Sequence, residues 1–260
     1  MLPRLRVLVH GRASGAWNMA VDEALLDAAD GGWTLRFYAW DRPTISLGYA
    51  QPMLRGVDTE RARKLGIPLV RRPTGGRAVL HADEITYSLA APAESGALAG
   101  GISASYRIIA AGLQEGLRLA GTEVDVERCG AAPAPSHKGP CFSARTRYEL
   151  SAGGRKLAGS AQRRRDGRLL QHGSLLLGAP DLRLWSALGP GFREASAAST
   201  YLDALLAARP GRRALVSCLS RGIAAQLEMP VQRCELSVAE RRAAAARAAA
   251  YRGAAWTRRR

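Results

Sequence analysis

The chain of 260 residues carries 38 Lys or Arg against 22 Asp or Glu, a formal net charge of +16, and 47% of it is hydrophobic. That length and apolar content suffice for a buried core and exclude a disulfide-stapled miniprotein, a collagen-like fibre and a wholly disordered chain. The positive charge implies an anionic partner and leaves nucleic acid, a membrane surface and an acidic protein open.

In chain order, residues 14–28 predict a helix capped by Ser14, with Met19, Val21, Leu25 and Leu26 on an apolar face and Asn18, Asp22 and Glu23 set among them. Residues 34–40 alternate and are rich in aromatics, which predicts a strand. A turn at 41–44 leads to a short strand over 45–49. A short helix over 58–65 follows, then a strand over 67–72 running into Pro73-Thr-Gly-Gly76. Residues 84–90 are β-rich, and 103–119 have helical spacing at Ile108, Ile109, Leu113 and Leu117. Three prolines and two glycines make 129–140 a loop.

Strands are expected at 148–152, 155–163 and 169–177, joined by Gly153-Gly154 and Asp166-Gly167 turns that favour antiparallel pairing. From Asp181 the pattern turns helical and ends in an Ala/Arg-rich stretch over 237–250. The predicted class is α+β, a mixed and largely antiparallel sheet flanked by helices. The expected organisation is one catalytic domain, with a core near 14–208 and a helical C-terminal extension near 209–260.

The N-terminal Met1-Leu-Pro-Arg-Leu-Arg-Val has no apolar run of signal-peptide length, and polar residues interrupt every later stretch of membrane-spanning length. Cys129, Cys141, Cys218 and Cys234 form no C-x-x-C pair, and His10, His81, His137 and His172 pair with none of them at zinc-ligand spacing. A cytoplasmic, reduced protein with no metal site is expected.

Three segments carry chemistry. In Arg71-Arg-Pro-Thr-Gly-Gly-Arg77, Gly75 and Gly76 let a ligand approach the backbone N–H groups, and Arg71, Arg72 and Arg77 supply cationic donors, with His81 on the returning strand. The same pattern also fits a plain hairpin turn with solvated arginines. In Gly139-Pro-Cys-Phe-Ser143, Cys141 is either a small buried hydrophobe or a nucleophile, and the second reading needs a cation nearby. Arg155-Lys-Leu-Ala-Gly-Ser-Ala-Gln162 offers that cation in Lys156, and its small residues, Gly159 and Ser160 among them, leave room for a ligand. Gln171-His-Gly-Ser174 places His172 beside them.

These segments, with Gly15-Ala-Trp-Asn-Met-Ala-Val-Asp-Glu-Ala-Leu25 and Pro43-Thr-Ile-Ser-Leu-Gly-Tyr-Ala-Gln51 before them, resemble in order the lipoate-protein ligase, octanoyltransferase and biotin-protein ligase superfamily over most of residues 14–177. The resemblance implies a catalytic α+β fold and attachment of a medium-chain acyl group to a lysine of a carrier protein. Ligases of this kind activate free lipoate with ATP, the lysine matching Lys156 contacting the acyl-adenylate. Octanoyltransferases take octanoyl from acyl carrier protein through a cysteine thioester.

Cys141, fifteen positions before Lys156, is similar to the cysteine-using transferases. On that resemblance, Lys156 holds Cys141 as thiolate, and no cofactor is needed. Gly75 and Gly76 orient the acyl carbonyl, and Arg71, Arg77, His81, Gly159, Ser160 and His172 line the substrate site. Ala82 follows His81 where many relatives carry Asp, leaving Asp83 or Glu84 to serve in its place. Octanoyl-acyl carrier protein and lipoyl-domain proteins are the implied partners of a monomer. ATP and Mg enter only on the ligase alternative, and an amidotransferase between carrier proteins is the other alternative. A nucleic-acid-binding module is the non-enzyme reading, prompted by Arg241, Arg242, Arg247, Arg252 and Arg258 to Arg260, but no reading helix, zinc knuckle or aromatic RNA platform accompanies them.

Overall fold

The computed structural model describes residues 3–28, 32–53, 56–127 and 148–259. The chain runs β1 (Leu5–Ala13), α1 (Gly15–Asp27), β2 (Trp33–Trp40), β3 (Thr44–Leu47), α2 (Thr59–Lys64), β4 (Leu69–Arg71), β5 (Val79–His81), β6 (Glu84–Pro92) and α3 (Gly101–Leu119). It continues through β7 (Asp125–Val126), β8 (Leu150–Ala152), β9 (Arg155–Arg165), β10 (Arg168–Leu176), α4 (Leu182–Trp185), α5 (Phe192–Ala197), α6 (Arg212–Leu227), β11 (Val231–Arg233), α7 (Val238–Arg252) and α8 (Ala254–Thr257).

Eight strands form one sheet in the order β11-β1-β2-β6-β10-β9-β8-β7, and β4-β3-β5 form a second, smaller one. In the large sheet only β11–β1 and β1–β2 run parallel; the other five neighbour pairs are antiparallel. This is the expected mixed, largely antiparallel sheet. Its long central hairpin, β9–β10, turns at Asp166-Gly167, where both residues take positive φ.

Helices cover both faces. On one face α3 and α6 bury Leu113, Leu117, Leu219 and Ile223 against Leu35, Phe37, Tyr87 and Leu89. On the other, α1 and α7 bury Val21, Leu25 and Ala244 against Leu8, Ala90 and Leu170. The small sheet closes a separate cluster, in which Ile45, Leu47 and Leu80 meet Ile67, Trp185 and Leu188.

Ser14 caps α1 by accepting from the Trp17 N–H, and Asp58 caps α2 through Arg61. Three strands, β1, β7 and β11, lie where none was expected. β1 is buried only over its first half, Leu5 and Val7 in one cluster and Leu8 in another, and shifts register between Val9 and Arg12, so its sequence lacks the two-residue alternation of a half-buried strand. β11 is three exposed residues at the sheet edge.

The expected C-terminal extension contributes to the same cores: α6 packs on α3, β11 pairs with β1, and α7 buries Ala244, Ala248 and Tyr251. One stripe of α7 is thus buried, while its other positions face solvent. Ser237 and Glu240 form a capping box at its start, Arg247 pairs with Asp27 at 2.8 Å, and the Tyr251 hydroxyl donates to Glu23 at 2.9 Å. No helix among the described residues is long and apolar enough to cross a membrane.

Candidate functional site

The loop between β4 and β5 is built from backbone contacts. Gly76 has φ 92°, a left-handed conformation that costs a side-chain-bearing residue energy. A Cβ on Gly48 would overlap the Gly76 carbonyl oxygen, so the two segments touch through bare backbone. Arg71 is buried, and its guanidinium donates to the carbonyls of Gly48 at 2.6 Å, Gln51 at 2.7 Å and Thr257 at 3.0 Å. Arg72 donates to Ser46 O at 3.0 Å, Gly75 O at 2.7 Å and Arg77 O at 2.8 Å. Both arginines, read from sequence as ligand-facing cations, instead brace the loop, each charge satisfied by several carbonyls.

Beside this loop lies a narrow cleft, open to solvent at its mouth, with about 50 Å³ accessible to the centre of a water-sized group. Ser46, Arg72, Gly76 and His81 line one side, and Gly159, Ser160, His172 and Ser174 the other. Met19, Tyr38, Trp40 and Thr86 complete the floor. The small residues of β9 do leave room at the strand, as their sequence suggested. Arg71, Gly75 and Arg77 are not among the cleft-lining residues; Gly75 faces an adjoining outer groove that shares Gly76, Ser160 and Ala161 with the cleft.

Two carboxylate–histidine pairs stand behind the cleft. Asp22 Oδ2 meets His172 Nδ1 at 3.1 Å, and His172 Nε2 meets Thr74 Oγ1 at 2.6 Å. Asp22 also pairs with Arg36 at 2.7 Å and accepts from the Tyr38 and Ser88 hydroxyls, each at 2.8 Å. Arg36 is wholly buried, and its other donors go to Asn18 Oδ1 at 2.8 Å and His10 Nδ1 at 2.8 Å. Burial alone would raise the Asp22 pKa, but Arg36, His172 and Ser88 hold it below its ordinary value. Burial outweighs Asp22 at His172 and lowers its pKa, so the ring is neutral near pH 7, with Nδ1–H toward Asp22 and Nε2 accepting from Thr74.

In the second pair, Glu84 Oε1 meets His81 Nδ1 at 2.7 Å, and His81 Nε2 meets Ser46 Oγ at 2.8 Å. Glu84, rather than Asp83, thus takes the place beside His81. Thr86 donates to Glu84 Oε1 at 2.5 Å, and Ser174 donates to Oε2. Burial opposes the Glu84 charge, but His81, Ser174 and Thr86 lower its pKa. Trp40 stacks on His81 with ring centroids 3.9 Å apart and donates its indole N–H to Thr86 at 2.8 Å.

Lys156 lies on β9, three residues before Gly159. It is buried, and its Nζ donates to Glu149 Oε1 at 2.6 Å. Its backbone is held from the other side, Lys156 N to Ala198 O and Thr200 N to Lys156 O, both 2.8 Å. Cys141 lies outside the described residues, as do Cys129 and His137. Cys218 and Cys234 are half-buried free thiols away from the cleft. Among the described residues, no group of three or more His, Cys, Asp or Glu is placed to hold a metal ion.

Sequence reasoning missed the roles of Asp22, Arg36, Glu149, Ser46 and Thr74. A signal existed for the first two: Asp22 sits in a helix otherwise made of Ala, Met, Val and Leu, and Arg36 in a strand that is apolar on both sides, where an unpaired charge is too costly to bury.

Residues 14–198 match the family model described as lipoyl protein ligase A/B catalytic domain. The octanoyltransferase LipM of Moorella thermoacetica is 47% identical over 176 residues, 66% of this chain and 64% of that protein. The octanoyltransferase LipM of Kyrpidia tusciae is 44% identical over 191 residues, 70% of this chain and 69% of that one. The alignment therefore spans just under two thirds of the Moorella protein. A lipoate-protein ligase A bound with ATP superposes with a TM-score of 0.80 at 24% identity over 99% of both chains. A bi-partite lipoate protein ligase of Thermoplasma acidophilum does so with a TM-score of 0.79 at 20% identity, over 99% of this chain and 96% of that one. At these identities the likeness is one of fold.

Proposed function

Because the chain belongs to the lipoyl protein ligase A/B catalytic domain family, we propose that it is an acyltransferase, moving octanoyl from acyl carrier protein to a lysine of a lipoyl-carrier protein. The relatives at 44% and 47% identity, both named octanoyltransferases, support this reading. The observation that carries it is the cleft walled by Gly76, His81, Gly159, Ser160 and His172; Lys156, buried against Glu149, lies on the same strand three residues before Gly159 and is not itself among the cleft-lining residues.

The proposed nucleophile is Cys141, held as thiolate by the Lys156 charge below the ordinary thiol pKa of about 8.5. Its sulfur attacks the thioester carbonyl of the octanoyl carrier, a new thioester forms, and the pantetheine thiolate leaves. The amine of the acceptor lysine then attacks the acyl-enzyme. The C–S bond breaks, an amide forms, the Cys141 thiolate returns and the amine's proton is lost to the Lys156–Glu149 pair or to solvent. Thioester exchange is nearly thermoneutral, so this route consumes no nucleotide.

In this reading the backbone N–H groups of Gly76, on the cleft, and Gly75, on the adjoining groove, are the candidate oxyanion donors. Six methylenes buried at roughly 0.8 kcal/mol each give about 5 kcal/mol for holding the chain in the cleft. The +16 charge favours encounter with acidic carrier proteins, and a monomer acting in the cytoplasm completes the reading.

The test is incubation with octanoyl-acyl carrier protein, followed by mass spectrometry. An octanoyl adduct on the wild type that is absent from Cys141→Ala is expected. No adduct, or an equal adduct on the variant, overturns the covalent route. Carrier modification from octanoate and ATP with pyrophosphate release, and none from the acyl-carrier donor, would place the chain with the ligases instead.

A further inference from the structure

Nine side chains lining the cleft carry a polar group. Their donor hydrogens are spent within the protein. Tyr38 donates to Asp22, Trp40 to Thr86, Thr86 and Ser174 to Glu84. The five N–H bonds of Arg72 are taken by Ser46 O, Ser46 Oγ, Gly75 O and Arg77 O. His81 and His172 each have both ring nitrogens engaged. The exception is Ser160. It shares one hydrogen with Tyr87 at 2.8 Å, while Tyr87 also accepts from Gln171 at 3.0 Å, so one hydroxyl hydrogen of the pair is left over. Ser160 stands where the cleft joins the outer groove, next to Gly76.

Polar residue types thus build a wall that behaves toward a ligand as an apolar one. We infer that the two carboxylate–histidine pairs and their hydroxyl partners are specificity determinants: the cleft accepts an unsubstituted hydrocarbon chain with its carbonyl at Ser160, and rejects acyl chains that carry a hydroxyl along their length. This rests on the reading of the cleft as the acyl slot. A chain hydroxyl buried away from Ser160 and the Gly76 backbone loses its water and finds no side-chain donor to replace it. Burial of a hydroxyl without compensation weakens binding by about tenfold or more. A wall built of alanine and leucine would reject such chains too. The difference is that this wall is one hydroxyl away from accepting them. Removing Ser174 Oγ uncovers a Glu84 carboxylate oxygen, and removing Ser46 Oγ uncovers an Arg72 N–H together with His81 Nε2.

The experiment measures binding of octanamide, which cannot acylate the protein, by calorimetry on the full chain, beside octanamides hydroxylated at each of carbons 4 to 8. The expected result is measurable binding of octanamide, with every hydroxylated analogue about tenfold weaker or worse. In Ser174→Ala or Ser46→Ala the ratio should narrow at least threefold for one or more hydroxyl positions. Either variant suffices, so the failure of one to fold leaves the other as the test. Hydroxylated analogues bound within twofold of octanamide overturn the specificity inference while leaving the acyl slot standing. Unchanged ratios in both variants overturn the role of the hydrogen-bonded wall. Octanamide that does not bind overturns the acyl slot itself, and this inference with it.

Discussion

Asp22→Asn isolates the contribution of the buried network. The substitution keeps the volume and removes one negative charge from a site where both Asp22 and Arg36 have no solvent exposure. Arg36 then keeps its positive charge, with only Asn18, His10 and the new amide as partners. Leaving one partner of a buried pair uncompensated costs about 3–5 kcal/mol, against a total stability of roughly 5–15 kcal/mol. For a chain of this size each kcal/mol lowers Tm by about 2–4 °C, so a drop of roughly 6–20 °C is expected. Urea unfolding followed by circular dichroism measures the free-energy change directly. Arg36→Met should cost a similar amount, and the double variant about 2–3 kcal/mol less than the sum of the two, because the second substitution removes the charge orphaned by the first. A loss below about 1 kcal/mol for Asp22→Asn, or additive losses, would refute the claim that this pair anchors the fold.

Two further outcomes follow from local geometry. Gly48→Ala drives a Cβ into the Gly76 carbonyl and should cost about 1–3 kcal/mol and lower the rate of acyl-adduct formation at least tenfold. Gly75→Ala, where a Cβ meets nothing within 4 Å, should alter stability by less than about 0.5 kcal/mol, as urea titration of both would show. His10, lowered to about 4 by burial and by Arg36, resists protonation in the fold. Its contribution is therefore present above pH 6.5 and is lost as pH falls from there to about 4, when only the unfolded chain takes up the proton. With allowance for solvent screening of this partly exposed ring, the loss is on the order of 1–2 kcal/mol. His10→Asn should flatten the stability profile across that window.

The parts of the fold legible in the sequence are those whose signals are local. The α1 cap at Ser14, the aromatic alternation of β2 and the Asp166-Gly167 turn each state their structure within a few residues. β1 and β11 were hidden because parallel pairing depends on partners more than twenty residues away, Leu5 with Trp33 on one side and with Val231 on the other. The site divides in the same way. Gly76, His81, Gly159, Ser160 and His172 do line the cleft. The meaning of Arg71 was inverted, because whether an arginine meets ligand or backbone is decided by Gly48, Gln51 and Thr257, which the sequence places far from it or leaves without any marker. The Lys156–Glu149 pair was equally invisible, since seven residues and a hairpin separate its members.

Arg71 also ties the cleft loop to the last described turn of the chain. Its guanidinium reaches Thr257, and the Trp256 indole donates back to its carbonyl at 2.9 Å. Tyr49, on the neighbouring segment, lies between Arg163 and Arg259. During synthesis these latches emerge from the ribosome some 180 residues after the loop they secure. The braces from Arg72, and from Arg71 to Gly48 and Gln51, can form before then, but the tie to Thr257 has to wait for those residues. A chain lacking residues beyond 253 would keep its sheet and the inner braces of the loop and lose this outer tie, so the last fastening of the site is made by residues far downstream of it.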